Sequence, residues 1–150
     1  MEKSNILIAV CGTGGMGKST IAYQLAYNIS KSGVKVAVCG DFSKDDYVWN
    51  VNWQRKFEDM LLKNNEVVIS DHSLLDHYFF EGINPPTTLA KRYDLYVVVN
   101  NPDRKIRGKR GINKSLLGFL KNECTNWIVV NNYSADIKYR VLKLWRRRNG

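Results

Sequence analysis

The chain has 150 residues, of which 44% are hydrophobic and 25% charged, as in an ordinary soluble globular protein. This length suits a single domain, 1–150, with a sizeable core. The sequence excludes a membrane-spanning class, because no apolar run is long enough to cross a bilayer, and the first residues lack a secretory pattern. The three cysteines show no C-x-x-C spacing, and Cys11 and Cys39 end predicted strands, so we expect buried, reduced thiols and a cytoplasmic location.

The net charge of +9 is unevenly distributed along the chain. Residues 1–100 hold 10 Lys and Arg against 11 Asp and Glu, whereas residues 101–150 hold 13 against 3. The whole excess of positive charge therefore lies in the last third. Such asymmetry favours a polyanion or an anionic membrane surface as a partner.

The first distinctive stretch is a glycine-rich loop between a predicted strand and a predicted helix. Ile6–Cys11 is a short apolar run typical of a buried strand, and apolar residues recur at helical spacing from Ile21 to Ile29. Between them, CGTGGMGKST contains the phosphate-binding pattern G-x-x-x-x-G-K-[ST]. The predicted nucleotide-binding residues are Gly12, Thr13, Gly14, Gly15, Met16, Gly17, Lys18, Ser19 and Thr20.

Each residue type in this loop has a chemical reason. Glycines allow positive φ and bring backbone N–H groups close to phosphate oxygens. Lys18, expected on the surface of the loop, supplies a positive charge for the β- and γ-phosphates, and the Ser19 hydroxyl is a ligand for Mg²⁺. The pattern therefore predicts ATP or ADP with Mg²⁺ as ligands.

Two acidic residues follow predicted strands further along the chain. Val34–Cys39 is an apolar run with Asp41 just beyond it, and Glu66–Ser70 is followed directly by Asp71. Ligands of open α/β sheets bind outside the carboxyl ends of the strands. Both Asp41 and Asp71 are therefore candidate catalytic and Mg²⁺-binding residues, although a solvated turn is the alternative for Asp41.

The segments on either side of Asp71 predict a helix and a mobile region. Trp53, Phe57, Met60 and Leu61 lie at helical spacing between Val51 and Lys63. His72–Glu81 is interpreted as a mobile segment beside the γ-phosphate. A metal cluster built from its two histidines is disfavoured, because they do not fall on one helical face.

The second half of the chain predicts two more strands and three helical segments. Pro85-Pro86 breaks the chain, and Thr87 or Thr88 is a candidate cap for a short helix to Lys91. The strands are Asp94–Asn100 and Asn126–Asn131, and the helices contain Leu116–Leu120 and Ala135–Arg148. Strands that alternate with helices predict an α/β protein with the three-layer α/β/α fold of P-loop NTPases and a mostly parallel sheet of about five strands.

The loop resembles the deviant Walker A motif of the ParA/MinD group of ATPases, which includes the nitrogenase iron protein. The resemblance continues in order along nearly the whole chain. IAYQLAYNISKSGVKVAVCGD is similar to the family's first helix and the strand before switch I, and VVISD to the switch II strand. YDLYVVVNNPDRKIRG is similar to the fourth strand with the start of the next helix, and WIVVNNY to the strand whose terminal Asn recognises adenine.

This resemblance implies roles for particular residues. Asp41 would orient the attacking water or Mg²⁺, Asp71 would bind Mg²⁺ through water, and Asn131 would contact adenine. It also implies a nucleotide-dependent homodimer and a partner protein that activates hydrolysis. The family's signature lysine, which reaches across the dimer to the partner's phosphates, falls at Thr13, so the resemblance implies weak hydrolysis unless a partner or Lys44 supplies the missing cation.

Three functions remain open for the basic last third. The first is a DNA-partitioning ATPase that binds DNA non-specifically. The second is a small nucleoside or nucleotide kinase with an arginine-rich lid. The third is a MinD-like ATPase whose basic, amphipathic terminus YRVLKLWRRRNG touches a membrane. The candidate nucleic-acid residues are Arg104, Lys105, Arg107, Lys109, Arg110, Arg146 and Arg147.

Overall fold

The computed structural model describes residues 5–13, 16–40, 51–101 and 109–150, with the backbone alone at 109–111. In these residues five β-strands alternate with five α-helices, and one 3₁₀ helix, Leu89–Arg92, precedes the fourth strand. The strands are β1 (Ile6–Cys11), β2 (Val36–Cys39), β3 (Val67–Asp71), β4 (Leu95–Val99) and β5 (Trp127–Val130). The helices are α1 (Lys18–Ser30), α2 (Val51–Asn64), α3 (Leu74–Glu81), α4 (Lys109–Glu123) and α5 (Ala135–Asn149).

The strands form one parallel sheet in the order β2-β3-β1-β4-β5. The central strand β1 alternates its side chains between the two faces, as an extended strand must. Ile6, Ile8 and Val10 pack against α1 and α5, whereas Leu7, Ala9 and Cys11 pack on the side of α2, α3 and α4. The predicted three-layer α/β/α class with a five-stranded sheet is therefore confirmed.

The buried face of α2 is not the apolar face that the spacing predicted. Trp53 is 64% exposed and Met60 is 49% exposed, whereas Gln54 and Glu58 are completely buried. Phe57 and Leu61 are partly buried against the core, as the spacing suggested. Gln54 and Glu58 can face the interior because they find hydrogen-bond partners there.

The segment interpreted as mobile, His72–Glu81, is mostly the helix α3. Ser73 is its N-cap and accepts a hydrogen bond from the backbone N–H of Asp76. Leu74 and Leu75 then fall in the core, so the helix is held by both capping and burial. Thr88 occupies the N-cap position of the 3₁₀ helix, but its side chain makes no capping hydrogen bond.

Two expectations from composition have structural counterparts. Cys11, Cys39 and Cys124 are all buried and free. Across the described ranges, no helix combines the length and apolar character needed to cross a membrane.

Candidate phosphate-binding site

The carboxyl ends of β1 and β3 lie side by side, with Val10 paired to Asp71. Gly12 leaves β1 with φ 152°, and a Cβ at this position would lie 3.1 Å from the Val99 carbonyl oxygen. Gly17 is the N-cap of α1 with φ 89°, in the left-handed region that favours glycine. The turn therefore places Lys18 and Ser19 in the first turn of α1, at the edge of the sheet where β3 ends.

One carboxylate holds both of these side chains. The Lys18 ammonium forms an ion pair with Oδ1 of Asp71, and the Ser19 hydroxyl donates to Oδ2 at 2.6 Å. Lys18 is only 5% exposed, so the expectation of a surface position was wrong. The lysine turns inward because Asp71 supplies an anionic partner for its charge at the neighbouring strand end.

Ser19 and Asp71 also suit a magnesium ion. Both supply hard oxygen atoms, which Mg²⁺ prefers, and their atoms Oγ and Oδ2 are 2.6 Å apart. Adjacent ligands of an octahedral ion with Mg–O distances of 2.0–2.1 Å lie about 2.9 Å apart. The two side chains therefore need to separate only slightly to become neighbouring ligands of the ion or of its water.

The start of the loop is hydrogen-bonded to α4 through Asn113, a residue that the sequence patterns did not single out. Its Oδ1 accepts the backbone N–H of Thr13 at 3.0 Å, with the Thr13 hydroxyl at 3.4 Å. Its Nδ2 donates to the Val99 carbonyl at 3.3 Å and to Asn100 Oδ1 at 3.1 Å. The available signal was its spacing, because Asn113 lies on the same face of α4 as the buried Leu116 and Leu120.

A buried carboxylate of α2 is hydrogen-bonded to the end of β3. Glu58 of α2 accepts hydrogen bonds from Ser70 at 2.6 Å and from Tyr93 at 2.8 Å. The same carboxylate also pairs with Arg92, and burial together with this carboxylate raises the pKa of Tyr93 well above its ordinary value. Because Ser70 directly precedes Asp71, the network fixes the backbone that carries the candidate metal ligand.

His72, directly after Asp71, is held in a left-handed conformation with φ 85°. Such a conformation is costly for a non-glycine residue and persists only where surrounding contacts impose it. Here the backbone N–H donates to Val10 at 2.9 Å, the backbone carbonyl accepts from Gln54 at 3.0 Å, and Nδ1 lies 2.6 Å from Asp76 Oδ2. Both neighbours of Asp71 are thus fixed by buried polar contacts.

The remaining predicted nucleotide residues are placed as follows. The Met16 side chain is buried in the core, and its backbone N–H donates to the Thr13 carbonyl at 3.3 Å. Thr20 is exposed on α1, and Asn131 is exposed just after β5. Since β5 lies two strands from β1, its end is about 10 Å away along the same edge of the sheet. Gly14, Gly15, Asp41 and Lys44 lie outside the described residues.

The basic residues fall into two groups. Arg104, Lys105 and Arg107 lie outside the described residues, as do the side chains of Lys109 and Arg110, which open α4. Arg146 and Arg147 are exposed in the last turn of α5.

On α5, a groove of about 580 Å³ is lined by Arg140, Lys143 and Arg147, beside Leu95 and Asn126. Leu95 begins β4 and Asn126 precedes β5, whereas Asp136, which also lines the groove, lies in the first turn of α5, so this basic groove runs along α5 beside the two strands.

No protein-family model matches the chain, and no curated protein matches it. Among solved structures, it is similar to the crystal structure of APE1195, with 21% sequence identity, a TM-score of 0.49 and coverage of 99% of this chain and 97% of that one.

Proposed function

We propose that this chain binds ATP with Mg²⁺ at the carboxyl end of β1, as a P-loop ATPase of the ParA/MinD type. One observation carries the proposal: the lysine and the hydroxyl of the G-K-[ST] pattern begin α1 and meet the same carboxylate on the neighbouring strand. A glycine-rich turn that matched the pattern by chance would have no reason to assemble these three groups.

The site's residues have separable roles in this proposal. The Lys18 ammonium would exchange one anionic partner, Asp71, for the β- and γ-phosphates of ATP. The backbone N–H groups at the start of α1 would add hydrogen bonds to phosphate, helped by the helix dipole. Ser19 and Asp71 would hold Mg²⁺, which neutralises phosphate charge when bound. Asn131, at the end of β5, would contact the adenine.

Hydrolysis should be slow in the isolated protein. Thr13 carries no charge, and its hydroxyl faces Asn113. A cation at the transferred phosphate is worth about a thousandfold or more in rate, and a hydroxyl cannot replace it. We therefore propose that a partner protein, or Lys44, supplies the missing charge.

We further propose that the protein acts in the cytoplasm as a switch in DNA partitioning, with non-specific binding to DNA. The excess of Lys and Arg in residues 101–150 and the basic groove on α5 support this. Free, buried cysteines fit a reducing compartment.

The primary test is ATP binding by isothermal titration calorimetry in the presence of Mg²⁺. We expect Lys18→Ala to abolish binding, because the ammonium of Lys18 is the positive charge that the pattern directs at the β- and γ-phosphates. Lys63→Ala is the matched control, since it removes an exposed lysine at the end of α2. Equal ATP affinity of folded Lys18→Ala and wild type would refute the site assignment, and turnover that depends on an added nucleoside would indicate a kinase instead.

A further inference from the structure

Asn113 joins three parts of the fold that are separate in the sequence. It is completely buried, and its amide bonds to Thr13 in the phosphate loop and to Val99 and Asn100 at the end of β4. We propose that Asn113 is a positioning residue that couples the phosphate loop to α4, so that nucleotide binding shifts the first turns of that helix. This inference rests on the proposed function.

The contact uses a backbone donor that belongs to the phosphate-binding pattern. Thr13 lies inside the phosphate-binding pattern, and its backbone N–H points at Asn113 Oδ1 at 3.0 Å. Backbone N–H groups of such loops are the donors that surround phosphate oxygens. One N–H cannot be directed fully at two acceptors, so a nucleotide phosphate competes with Asn113 for this donor.

The competition favours the phosphate and leaves Asn113 to find another arrangement. A hydrogen bond to an anionic acceptor is roughly twice as strong as a neutral one. If the Thr13 N–H turns toward the phosphate, a buried amide oxygen loses its main donor, which is unfavourable inside a protein. In our proposal the amide keeps its hydrogen bonds by following the loop, and this motion carries the first turns of α4 with it.

The backbone around the contact between Thr13 and Asn113 is closely packed. A Cβ at Gly12 would lie 3.1 Å from the Val99 carbonyl and 3.7 Å from Asn113 Oδ1, so the loop, β4 and Asn113 are in close contact. Asn113 lies one turn into α4, which begins at Lys109. A shift of Asn113 therefore moves the helical turn that carries the candidate nucleic-acid residues Lys109 and Arg110.

The test is hydrogen–deuterium exchange of α4 with and without Mg-ATP, on samples whose ATP binding is measured by calorimetry. In wild type we expect ATP to change the exchange rate of the first two turns of α4 by about fivefold or more, the lower end of usual coupling between sites. In Asn113→Ala samples that calorimetry shows to have ATP bound, this change should be lost. Asn122→Ala is the matched control, because Asn122 is an exposed asparagine on the same helix.

A second substitution separates coupling from general loss of structure. Asn113→Leu keeps the branched shape of the side chain and removes the amide without burying a charge, so it should lose the response of α4 even if Asn113→Ala does not fold. Unchanged α4 exchange in wild type that has bound ATP would overturn the inference while leaving the proposed function intact. A response that persists in Asn113→Leu would also overturn it. Absence of ATP binding by wild type would instead refute the proposed function, and the coupling with it.

Discussion

The buried ion pair between Lys18 and Asp71 should contribute to the free energy of unfolding even without bound nucleotide. The two side chains are 5% and 3% exposed, so removing one charge leaves the other in the protein interior. In Lys18→Met the Asp71 carboxylate would lose its ion-pair partner while keeping the hydrogen bond from Ser19. Breaking a buried pair in this way costs about 3–5 kcal/mol, a large part of the roughly 5–15 kcal/mol that stabilises a folded protein.

Removing both charges should cost much less than the two single changes together. Lys18→Met combined with Asp71→Asn leaves an apolar stem beside an uncharged amide, which still accepts a hydrogen bond from Ser19. Replacing a buried ion pair by uncharged groups of similar size is often close to neutral. We expect the double variant within about 1 kcal/mol of wild type, and a coupling energy of about 3 kcal/mol or more from the full cycle.

The assay is urea unfolding followed by tryptophan fluorescence, without nucleotide or Mg²⁺. The ion pair between Arg148 and Asp94, whose side chains are 40% and 12% exposed, is the matched control. The cycle of Arg148→Met and Asp94→Asn should give a coupling energy below about 1 kcal/mol, as for surface pairs. Additive effects at Lys18 and Asp71 would show that their contact is not a buried ion pair in solution.

Two further predictions concern pH and DNA. Burial raises the pKa of Cys39 from its ordinary value of 9.0 to about 12, and that of Cys124 likewise to about 12. From pH 9 upward the unfolded thiols ionise and the folded ones do not, so the free energy of unfolding should fall by up to about 1.4 kcal/mol per pH unit and thiol. Urea titrations should show a shallower fall in Cys39→Ala, and an identical slope would contradict this assignment. Neutralising Arg104, Lys105 and Arg107 should lower the slope of log K against log salt by about one per lost phosphate contact in gel shifts with any DNA sequence, and an unchanged slope would exclude those residues.

The layered architecture and the location of the candidate site could both be predicted from the amino-acid sequence. Apolar runs such as Ile6–Cys11 are too short for helices and too apolar for exposed strands, so their alternation with helical patterns required a buried parallel sheet. The position of the G-K-[ST] pattern between β1 and α1 could also be predicted. The turn into the helix needs a left-handed backbone conformation that favours glycine, and Gly17 adopts it.

The sequence could not show which polar side chains are buried, because their partners come from distant parts of the chain. Helical spacing placed Trp53 and Met60 on one face, but it could not show that Glu58 would be buried among partners from β3 and the 3₁₀ helix. The same holds for Thr13 and Asn113, which are 100 positions apart, and for Lys18 and Asp71, which are 53 apart. A polar side chain is stable inside a protein only when a complementary group meets it there, and the chain brings such distant groups together only when it folds.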